Sequence, residues 1–342
     1  MEDTRAKPLT VAVLSFWHVH AGDYARQTQQ NGGTELIAVW DDDAERGRAG
    51  AAEFGVEFVP DLDALLARDD LDAVVITTQT NLHRDIMVKA ANAGKHIFTE
   101  KLLAPTVEEA EQIVRAVDDN DVKLIVSLPR LYDGYTSAIR EVIDSGKIGR
   151  ITYSRVRLSH AGAVAQEGAS SGWLPERFFD PESAIGGALT DLGCHPVYLT
   201  QLFLGPAPTS VSATYRSVTG RAVEDSAVVT VGYDDQAIGV IEAGFVSDNP
   251  FTIELFGTEG SVSYSDWDNS LRVSGAGFGT ATDTHGWQQL PLPPAGQSAF
   301  GQWVDHIAAG TRADDNVARA VELTRLVVAA NESAATGSTV SL

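Results

Sequence analysis

The sequence is poor in three features that would each point to a particular class of protein. Its 342 residues include one cysteine, Cys194, so no disulfide can form within the chain. It contains no run of about eighteen apolar residues, so it predicts no transmembrane helix. Lysine and arginine number 25 against 47 aspartate and glutamate residues, and the net charge of −22 disfavours nucleic acid and anionic membranes as partners.

The N-terminal residues and the cysteine indicate a reducing compartment. Met1 to Lys7 are polar and lack the apolar core of a secretory signal, so we expect a cytoplasmic protein. Cys194 lies between Gly193 and His195, but no partner pattern for a nucleophilic thiol is visible, and we expect a small packed residue. The length is sufficient for two domains, each with its own core.

Short apolar runs alternate with polar helical stretches through the first 128 residues. The runs are typical of buried parallel strands. The predicted strands are Leu9 to Ser15, Glu35 to Trp40, Leu71 to Thr77, His96 to Thr99 and Val122 to Ser127. Strands that alternate with helices predict a parallel, doubly wound α/β sheet, and we assign residues 1–128 to a Rossmann-type dinucleotide-binding domain.

Glycine is missing where such a domain usually carries it. The turn after the first strand, Ser15 to His20, reads Ser-Phe-Trp-His-Val-His in place of Gly-x-Gly-x-x-Gly. Trp17 stands at the middle glycine, which normally lets the main chain approach the pyrophosphate, so we expect another turn conformation or another cofactor path. Amides at a helix N-terminus can hold phosphate without glycine. We therefore expect the turn to border the cofactor through Phe16, Trp17, His18 and Val19.

His18 and His20 lie two residues apart in this turn. They could be metal ligands, phosphate contacts or capping groups. Two histidines without a nearby cysteine or carboxylate are a poor metal signature. We therefore expect no metal site here, and a role in local packing or in contact with cofactor or substrate.

Two aspartates end the second predicted strand and bear on the choice of cofactor. At the position of Asp41 an acidic residue accepts hydrogen bonds from the adenosine ribose, and Asp42 beside it would repel a 2′-phosphate. Both observations favour NAD over NADP. The alternative is that the two carboxylates only begin a solvated helix.

The second half of the chain alternates apolar and polar residues. The predicted strands are Ile151 to Leu158, Val211 to Tyr215, Ser226 to Tyr233, Ala237 to Phe245, Thr252 to Phe256 and Gly260 to Tyr264. Short polar or glycine turns join most of them, which predicts an α+β domain over residues 129–342 with a large, open, mostly antiparallel sheet. Two closing helices, Phe300 to Ala309 and Val317 to Ala335, could pack back on the first domain.

The stretch from Gly186 to Pro196 carries two titratable groups, Asp191 and His195. They are four residues apart, so a helix would place them on one face, one turn apart. Histidine titrates near neutrality and a carboxylate can hold its ring. The pair could therefore orient a substrate hydroxyl and remove its proton, or the two groups could only satisfy each other at a surface.

Segments along nearly the whole chain resemble the glucose-fructose oxidoreductase, inositol dehydrogenase and rhizopine-catabolism (Gfo/Idh/MocA) family. The Gly186 stretch is similar to the family's Gly-Gly-x-x-x-Asp-x-Gly-x-His signature, and Gly94 to Ala104 is similar to its Gly-Lys-His-Val-x-x-Glu-Lys-Pro-Leu-Ala. Thr77 to His83 looks like the Ala-Thr-Pro-Asn-x-x-His segment that borders the cofactor. The resemblance implies cofactor contacts from Thr78, Gln79 and His83.

Glu100 and Lys101 stand at the carboxyl end of a predicted strand, the edge where open parallel sheets bind ligands. The resemblance implies that both border the cofactor, whereas a bare Glu-Lys dipeptide is usually a surface pair. Lys101 could also hydrogen-bond a substrate hydroxyl and stabilise its developing alkoxide. Leu102 replaces the family's proline and removes the usual reason for a cis peptide after the lysine.

Three further residues are expected at the substrate. Arg130 and Tyr132 lie in a segment that resembles the family's Val-Gly-x-Asn-x-Arg-x, and the counterpart of Trp173 lies close to the sugar in relatives. Aromatic faces can pack against the C–H surface of a sugar. Each of the three could equally be a scaffold residue, and neither they nor the loop from Ser159 to Phe179 identify a particular sugar.

The resemblance implies an NAD-dependent sugar or polyol dehydrogenase that moves a hydride between the nicotinamide and a secondary hydroxyl or ketone of a sugar, glycoside or cyclitol. His195 would take the hydroxyl proton while Asp191 and Lys101 orient the group. Two alternatives stay open: an NAD-recycling glycosidase, and a non-catalytic sugar-binding protein that has lost dinucleotide binding. Sheets of this family stack, which implies a homodimer or homotetramer through the C-terminal sheet.

Overall fold

The computed structural model describes residues 7–166, 168, 171–279 and 286–342. The chain divides into two compact units. The first unit runs to Leu128 and also contains Gln297–Thr324, and the second contains Pro129–Gly296 and Arg325–Leu342. The sequence assigned 297–324 to the second domain, with the closing helices free to pack back, and in the structure these residues belong to the first unit.

A six-stranded sheet forms the centre of the first unit. Its strands are β1 Leu9–Leu14, β2 Thr34–Trp40, β3 Glu57–Phe58, β4 Ala73–Ile76, β5 His96–Thr99 and β6 Leu124–Val126. All pairs are parallel, and the order across the sheet is β3-β2-β1-β4-β5-β6. Strand β4 is buried along its whole length, as expected for a strand with helices on both faces. The predicted doubly wound sheet is confirmed.

The helices follow in chain order along both units. They are α1 Ala21–Gln30, α2 Ala44–Phe54, α3 Leu62–Leu66, α4 His83–Asn92, α5 Val107–Asp119, α6 Gly134–Asp144, α7 Pro181–Ala184, α8 Cys194–Leu204, α9 Ala299–Ala309 and α10 Asp314–Thr336. Local capping explains several starts. The Asp43 side chain accepts the Glu45 and Arg46 amides of α2, and Thr106 caps α5. Among the described residues, no helix is both long and apolar enough to cross a bilayer.

The second unit is built on a nine-stranded sheet. Its strands are β7 Ile151–Ser159, β8 Pro208–Arg216, β9 Ser226–Tyr233, β10 Ile238–Gly244, β11 Asn249–Gly257, β12 Gly260–Ser265, β13 Ser270–Gly275, β14 Gln288–Leu290 and β15 Val340–Ser341. The order is β14-β13-β12-β11-β7-β10-β9-β8-β15. Strands β7 and β10 pair in parallel and the other neighbours pair antiparallel, so the predicted mostly antiparallel sheet is confirmed.

The stretch that carries Asp191 is a π-helix rather than the start of an ordinary helix. Residues Leu189–Gly193 are π-helical and lead directly into α8. Pro196 has no amide to donate back along the helix, so regular α-helical bonding is interrupted there. Gly193 lies against β10, where a Cβ would come within 2.8 Å of the Ala243 side chain. The wider turn therefore rests directly on the sheet.

Candidate functional site

The turn after β1 keeps a glycine-like conformation without glycine. Ser15 has a φ of 78°, in the left-handed region that glycine favours. Its hydroxyl accepts a hydrogen bond from the Trp17 amide at 3.0 Å, and its carbonyl accepts one from the Thr77 hydroxyl at 2.6 Å. The end of β4 therefore holds the turn in place.

Most amides of this turn are engaged by acceptors within the protein. The Phe16 amide donates to Asp41 Oδ2 at 2.7 Å, and the His18 amide donates to the Thr77 carbonyl at 3.1 Å. Val19 is 43% exposed, and its amide makes no hydrogen bond within the described part of the chain. Of the amides in this turn, the Val19 amide is therefore the candidate for contact with a phosphate.

The two aromatic residues of the turn anchor it to the protein. Trp17, at the place of the middle glycine, is buried. The Phe16 ring stacks on Phe54 with centroids 5.8 Å apart, and it lies so close to Gly50 of α2 that a Cβ there would be 2.4 Å from the ring. Both were predicted to border the cofactor. In the structure Phe16 packs against α2 and Trp17 is buried in the protein, and this packing holds the turn in its conformation.

Asp41 does not present a free carboxylate. It accepts hydrogen bonds from the amides of Phe16 at 2.7 Å and Asp43 at 2.9 Å, and from Nε and Nη2 of Arg46. Its side chain has no exposed surface. A carboxylate has about four acceptor positions. The four donors occupy these positions on Asp41 and leave none for a ribose hydroxyl. The arrangement differs from the predicted contact between Asp41 and the ribose.

Asp42 and the end of β4 offer polar groups that fit a cofactor. The Asp42 side chain is 34% exposed and bonds to Arg46 Nη2 at 2.8 Å and Gln79 Nε2 at 3.0 Å. Among the buried polar atoms of the described residues that have no hydrogen-bond partner, three lie between β4 and α4: Thr78 Oγ1, Gln79 Oε1 and Asn81 Oδ1. Buried polar atoms are normally satisfied, so such a group indicates a ligand site. These residues fit NAD, with Asp42 as the carboxylate open to a ribose.

Glu100 is a buried anion at the end of β5. Its Oε1 accepts from the Tyr24 hydroxyl at 2.6 Å and lies 2.9 Å from His20 Nδ1, and its Oε2 accepts from the Lys101 amide at 3.1 Å. Burial raises the pKa of the Glu100 carboxyl, but the charges of His18 and His20 outweigh burial and hold that pKa well below its usual value. The carboxylate is therefore ionised.

His18, His20 and Glu100 each place one possible ligand atom within 4.8 Å of the other two. Two imidazoles and a carboxylate are a ligand set that zinc uses. We predicted no metal site from the sequence, because no carboxylate lies near the two histidines along the chain. In the structure Glu100, 80 residues after His20, lies beside them. The hydrogen bonds within the cluster also satisfy the carboxylate without an ion.

The peptide bond between Lys101 and Leu102 is cis, although no proline is present. His83 lies behind it with no exposed surface, its Nδ1 2.8 Å from the Leu102 carbonyl and its Nε2 3.2 Å from the Thr78 carbonyl. Burial lowers the pKa of His83 to about 4, so the ring is neutral. The neutral ring has one N–H, so it donates to one of these two carbonyls and contacts the other. His83 is thus buried between the segments after β4 and β5, which differs from the predicted direct contact with the cofactor.

In the second unit, His195 is held by a tyrosine that the sequence did not single out. His195 is buried in the first turn of α8, with Nδ1 2.8 Å from the Tyr198 hydroxyl. That hydroxyl also accepts the Arg130 amide at 3.1 Å, and burial raises the pKa of Tyr198 well above its usual value. When His195 donates from Nδ1 to this oxygen, the ring proton is on Nδ1 and Nε2 is the nitrogen that can take up a second proton. The spacing of three residues along a helix was the available signal.

Asp191 lies in the π-helix close enough to affect His160, a second residue that the sequence did not single out. Burial lowers the pKa of the His160 imidazole, and the charge of Asp191 opposes that effect. The His160 ring stacks on Phe245, 5.0 Å away, and Trp173, 54% exposed, lies 4.7 Å from it. The loop from Ser159 to Phe179 extends over residues 167, 169 and 170, which lie outside the described residues.

Arg130 and Tyr132 make scaffold contacts in the second unit. The Arg130 guanidinium lies 4.2 Å from the centre of the Phe251 ring and donates to the Tyr135 hydroxyl at 3.1 Å. The Tyr132 carbonyl accepts the Gly296 amide at 2.7 Å. The Arg130 contacts are those of a scaffold residue, whereas the Tyr132 contact is made by its main chain. Contact of either side chain with substrate stays a prediction.

Known proteins that resemble this chain are oxidoreductases. Residues 17–128 match the model of an oxidoreductase family with an NAD-binding Rossmann fold, and residues 136–263 match the GFO/IDH/MocA C-terminal domain. The chain is 32% identical to 1,5-anhydro-D-fructose reductase of Ensifer adhaerens over 77% of each chain. It is 29% identical to inositol 2-dehydrogenase of Rhizobium meliloti (strain 1021), over 70% of this chain and 71% of that one.

The fold also matches solved structures. GenD2 from gentamicin A biosynthesis, in complex with NAD, superposes with a TM-score of 0.81 at 27% identity, covering 98% of this chain and 97% of that one. Levoglucosan dehydrogenase, in complex with NADH and levoglucosan, superposes with a TM-score of 0.80 at 24% identity, covering 98% and 99%. Both comparisons extend over the two units, so the likeness is not confined to the nucleotide-binding half.

Proposed function

The chain belongs to the GFO/IDH/MocA oxidoreductase family with its NAD-binding Rossmann fold, and from this premise we propose an NAD-dependent dehydrogenase that acts on a secondary hydroxyl of a sugar, glycoside or cyclitol. The first unit binds NAD, and the second unit binds the substrate. One observation carries the proposal most directly. His195 Nδ1 lies 2.8 Å from the Tyr198 hydroxyl, and in the tautomer that donates from Nδ1 to this oxygen Nε2 is the nitrogen that takes up a proton.

The chemistry that NAD supplies when bound is acceptance of a hydride. His195 takes the proton of the substrate hydroxyl at Nε2 and returns it when the reaction runs towards the alcohol. Asp191 orients the hydroxyl. The Lys101 ammonium hydrogen-bonds the same oxygen and stabilises the negative charge that develops on it.

The groups proposed to hold NAD come from three segments of the first unit. The Val19 amide meets the pyrophosphate, Asp42 accepts from the adenosine ribose, and Glu100 with Lys101 borders the nicotinamide end. Thr78 and Gln79 supply the buried polar atoms described above. NAD is preferred to NADP because the carboxylate of Asp42 repels a 2′-phosphate.

Two measurements test the proposal together. Thermal unfolding with NAD, NADH, NADP and NADPH should show stabilisation by the first two, about 2.7 kcal/mol at a hundred times the dissociation constant. A panel of sugars and cyclitols is then screened for NADH production. In His195→Ala the rate should fall by about a hundred- to ten-thousand-fold, whereas His306→Ala, which changes a histidine on α9, should match wild type.

The outcomes separate the alternatives. No stabilisation by any dinucleotide, with sugar binding intact, would replace the dehydrogenase by a sugar-binding protein. Release of an aglycone without accumulation of NADH would replace it by an NAD-recycling glycosidase. Near-full turnover in His195→Ala would show that His195 is not the general base, and it would not affect the assignment of NAD as cofactor.

We also propose a cytoplasmic homodimer or homotetramer assembled through the C-terminal sheet. Val228, Ile238 and Phe256 are exposed on β9, β10 and β11, and their cross-strand partners put them on one face. The same face carries the ion pairs of Arg155 with Glu242 and Glu254, and exposed apolar side chains beside arginine and other polar groups are typical of an interface. Light scattering after gel filtration should give two or four times the monomer mass of 36.4 kDa, and Val228→Lys should reduce it.

A further inference from the structure

Glu224, which lies between β8 and β9, holds the turn that leads into the π-helix. Its Oε2 accepts the Gly187 amide at 3.0 Å and its Oε1 accepts the Leu189 amide at 2.9 Å. Its main-chain carbonyl accepts the intervening Ala188 amide at 2.9 Å. Amides at the start of a helix have no partner within the helix. One residue therefore satisfies three consecutive amides just ahead of Asp191.

The turn that Glu224 holds is strained and tightly packed. Ile185, a β-branched residue, has a φ of 56°, in the left-handed region that such residues rarely adopt. At Gly187 a Cβ would lie 1.9 Å from the Glu224 carbonyl oxygen, so the close approach requires glycine. A strained main chain persists where its surroundings over-determine it, often beside an active site. The contacts from Glu224 provide that constraint.

The turn is connected directly to the two predicted catalytic groups, Asp191 and His195. The Asp191 amide donates to the Gly187 carbonyl at 3.0 Å, and the π-helix continues into α8, which carries His195. Resting on the function proposed above, we propose that Glu224 is a positioning residue, which fixes the Gly186–Leu189 turn and thereby sets the orientation of Asp191 and His195 towards the substrate. A displacement of about 1 Å in such groups can cost about a hundredfold in rate.

Glu224 must be ionised to act as a double acceptor. Burial raises the pKa of its carboxyl above the usual value, the amides of Leu189 and Gly187 oppose that effect, and the charge of Asp225 adds to it. Tyr215 and Arg216 line a surface cavity together with Glu224, and burial and the charge of Glu224 raise the pKa of the Tyr215 hydroxyl. Protonation would turn one of the two acceptors into a donor that faces an amide.

The test replaces Glu224 by glutamine, which keeps the size and removes one acceptor. In Glu224→Gln we expect kcat to fall by about ten- to a hundredfold, with KM for NAD unchanged because the NAD site lies in the other unit. The wild-type kcat profile should contain an acidic step from Glu224 in addition to the step of the proposed base His195, and only the Glu224 step should be absent from the variant. Hydrogen exchange of the peptide 186–195 should be faster at pH 7. Glu332→Gln makes the same chemical change at an exposed carboxylate on α10 and should behave as wild type.

A second variant approaches the same contact from the other side. Gly187→Ala places a methyl group where the Glu224 carbonyl stands, so it should reproduce the fall in kcat and the faster exchange even if Glu224→Gln does not fold. Wild-type kcat and wild-type exchange in either folded variant would overturn the proposal. If wild type binds no dinucleotide and turns over no substrate, the proposed function fails, and the exchange of 186–195 still decides whether Glu224 holds the turn.

Discussion

Replacing Tyr198 by phenylalanine removes a single oxygen atom that serves two partners. The hydroxyl lies 2.8 Å from His195 Nδ1 and accepts the Arg130 amide at 3.1 Å. The ring of Tyr198 is fully buried, so phenylalanine keeps the packing and loses only these contacts. The variant therefore isolates the hydrogen bond that is proposed to orient the histidine.

The expected sizes of the two losses differ. An amide left buried without an acceptor costs about 1–3 kcal/mol of stability, which lowers the melting temperature by a few degrees in a protein of this size. A neutral hydrogen bond contributes about 0.5–1.5 kcal/mol. Since about 1.4 kcal/mol corresponds to a tenfold change in rate, kcat in Tyr198→Phe should fall by about two- to tenfold, with KM for NAD unchanged.

Steady-state kinetics across a pH range, together with thermal unfolding, checks the reasoning. The control is Tyr264→Phe, which removes another hydroxyl from the second unit, one that donates to Asn269. It should cost stability without lowering kcat. If both variants lower kcat equally, the loss is a general effect of destabilisation. If Tyr198→Phe keeps the wild-type kcat and pH profile, the hydroxyl does not orient His195.

Two predictions concern the first unit. Asp42→Ala should weaken NAD binding by about tenfold, the loss of a hydrogen bond to a charged group, and leave the melting temperature unchanged. Asp41→Ala should lower the melting temperature, because it removes the acceptor of the Phe16 and Asp43 amides and one of the two carboxylates that bind Arg46. Calorimetric titration measures the binding and thermal unfolding the stability, and the reverse pattern would assign the ribose contact to Asp41. The pKa of His83 falls from 6.5 to about 4 on folding, so the unfolded chain binds more protons between these values. Its contribution of about 3 kcal/mol is therefore complete above pH 6.5 and is lost as the pH falls towards 4. Urea unfolding at pH 7 and pH 5 should show a smaller difference in His83→Leu than in wild type, and an equal difference would contradict the neutral buried ring.

The fold could be predicted because its signals are local. The alternation of apolar runs with helices predicted the parallel sheet, and β5 runs from His96 to Thr99 as expected. Four strands escaped prediction. In β13 the alternation from Leu271 to Ser274 could have been recognised, whereas β3, β14 and β15 are two or three residues long and carry no periodicity of their own. They exist because a neighbouring strand offers free main-chain groups, and only the assembled sheet reveals that.

The candidate site was predictable in its residue types and less so in its contacts. The spacing of His18 and His20 suggested an isolated pair, and Glu100 joins them because β1 and β5 flank β4 in one parallel sheet, so that their carboxyl ends meet at the same edge. The role of Tyr198 followed a helical spacing that could have been read. The hydrogen bonds of Asp41 could not be predicted from the sequence, because they depend on the positions of Arg46 and the Phe16 amide in the folded chain.

Each unit contains a non-glycine residue in the left-handed region and a carboxylate that holds the main chain beside it. A ligand site needs the main chain in conformations that it does not adopt unaided, at Ser15 in one unit and Ile185 in the other. In each, a carboxylate accepts main-chain amides beside that residue: the buried Asp41 accepts the Phe16 amide, and the partly buried Glu224 accepts the Gly187 and Leu189 amides. Ionised oxygens make stronger hydrogen bonds to amides than neutral acceptors do. Loss of either carboxylate should therefore disturb a ligand site and also lower stability, and hydrogen exchange of the main chain beside Ser15 and Ile185 reports the change in each turn directly.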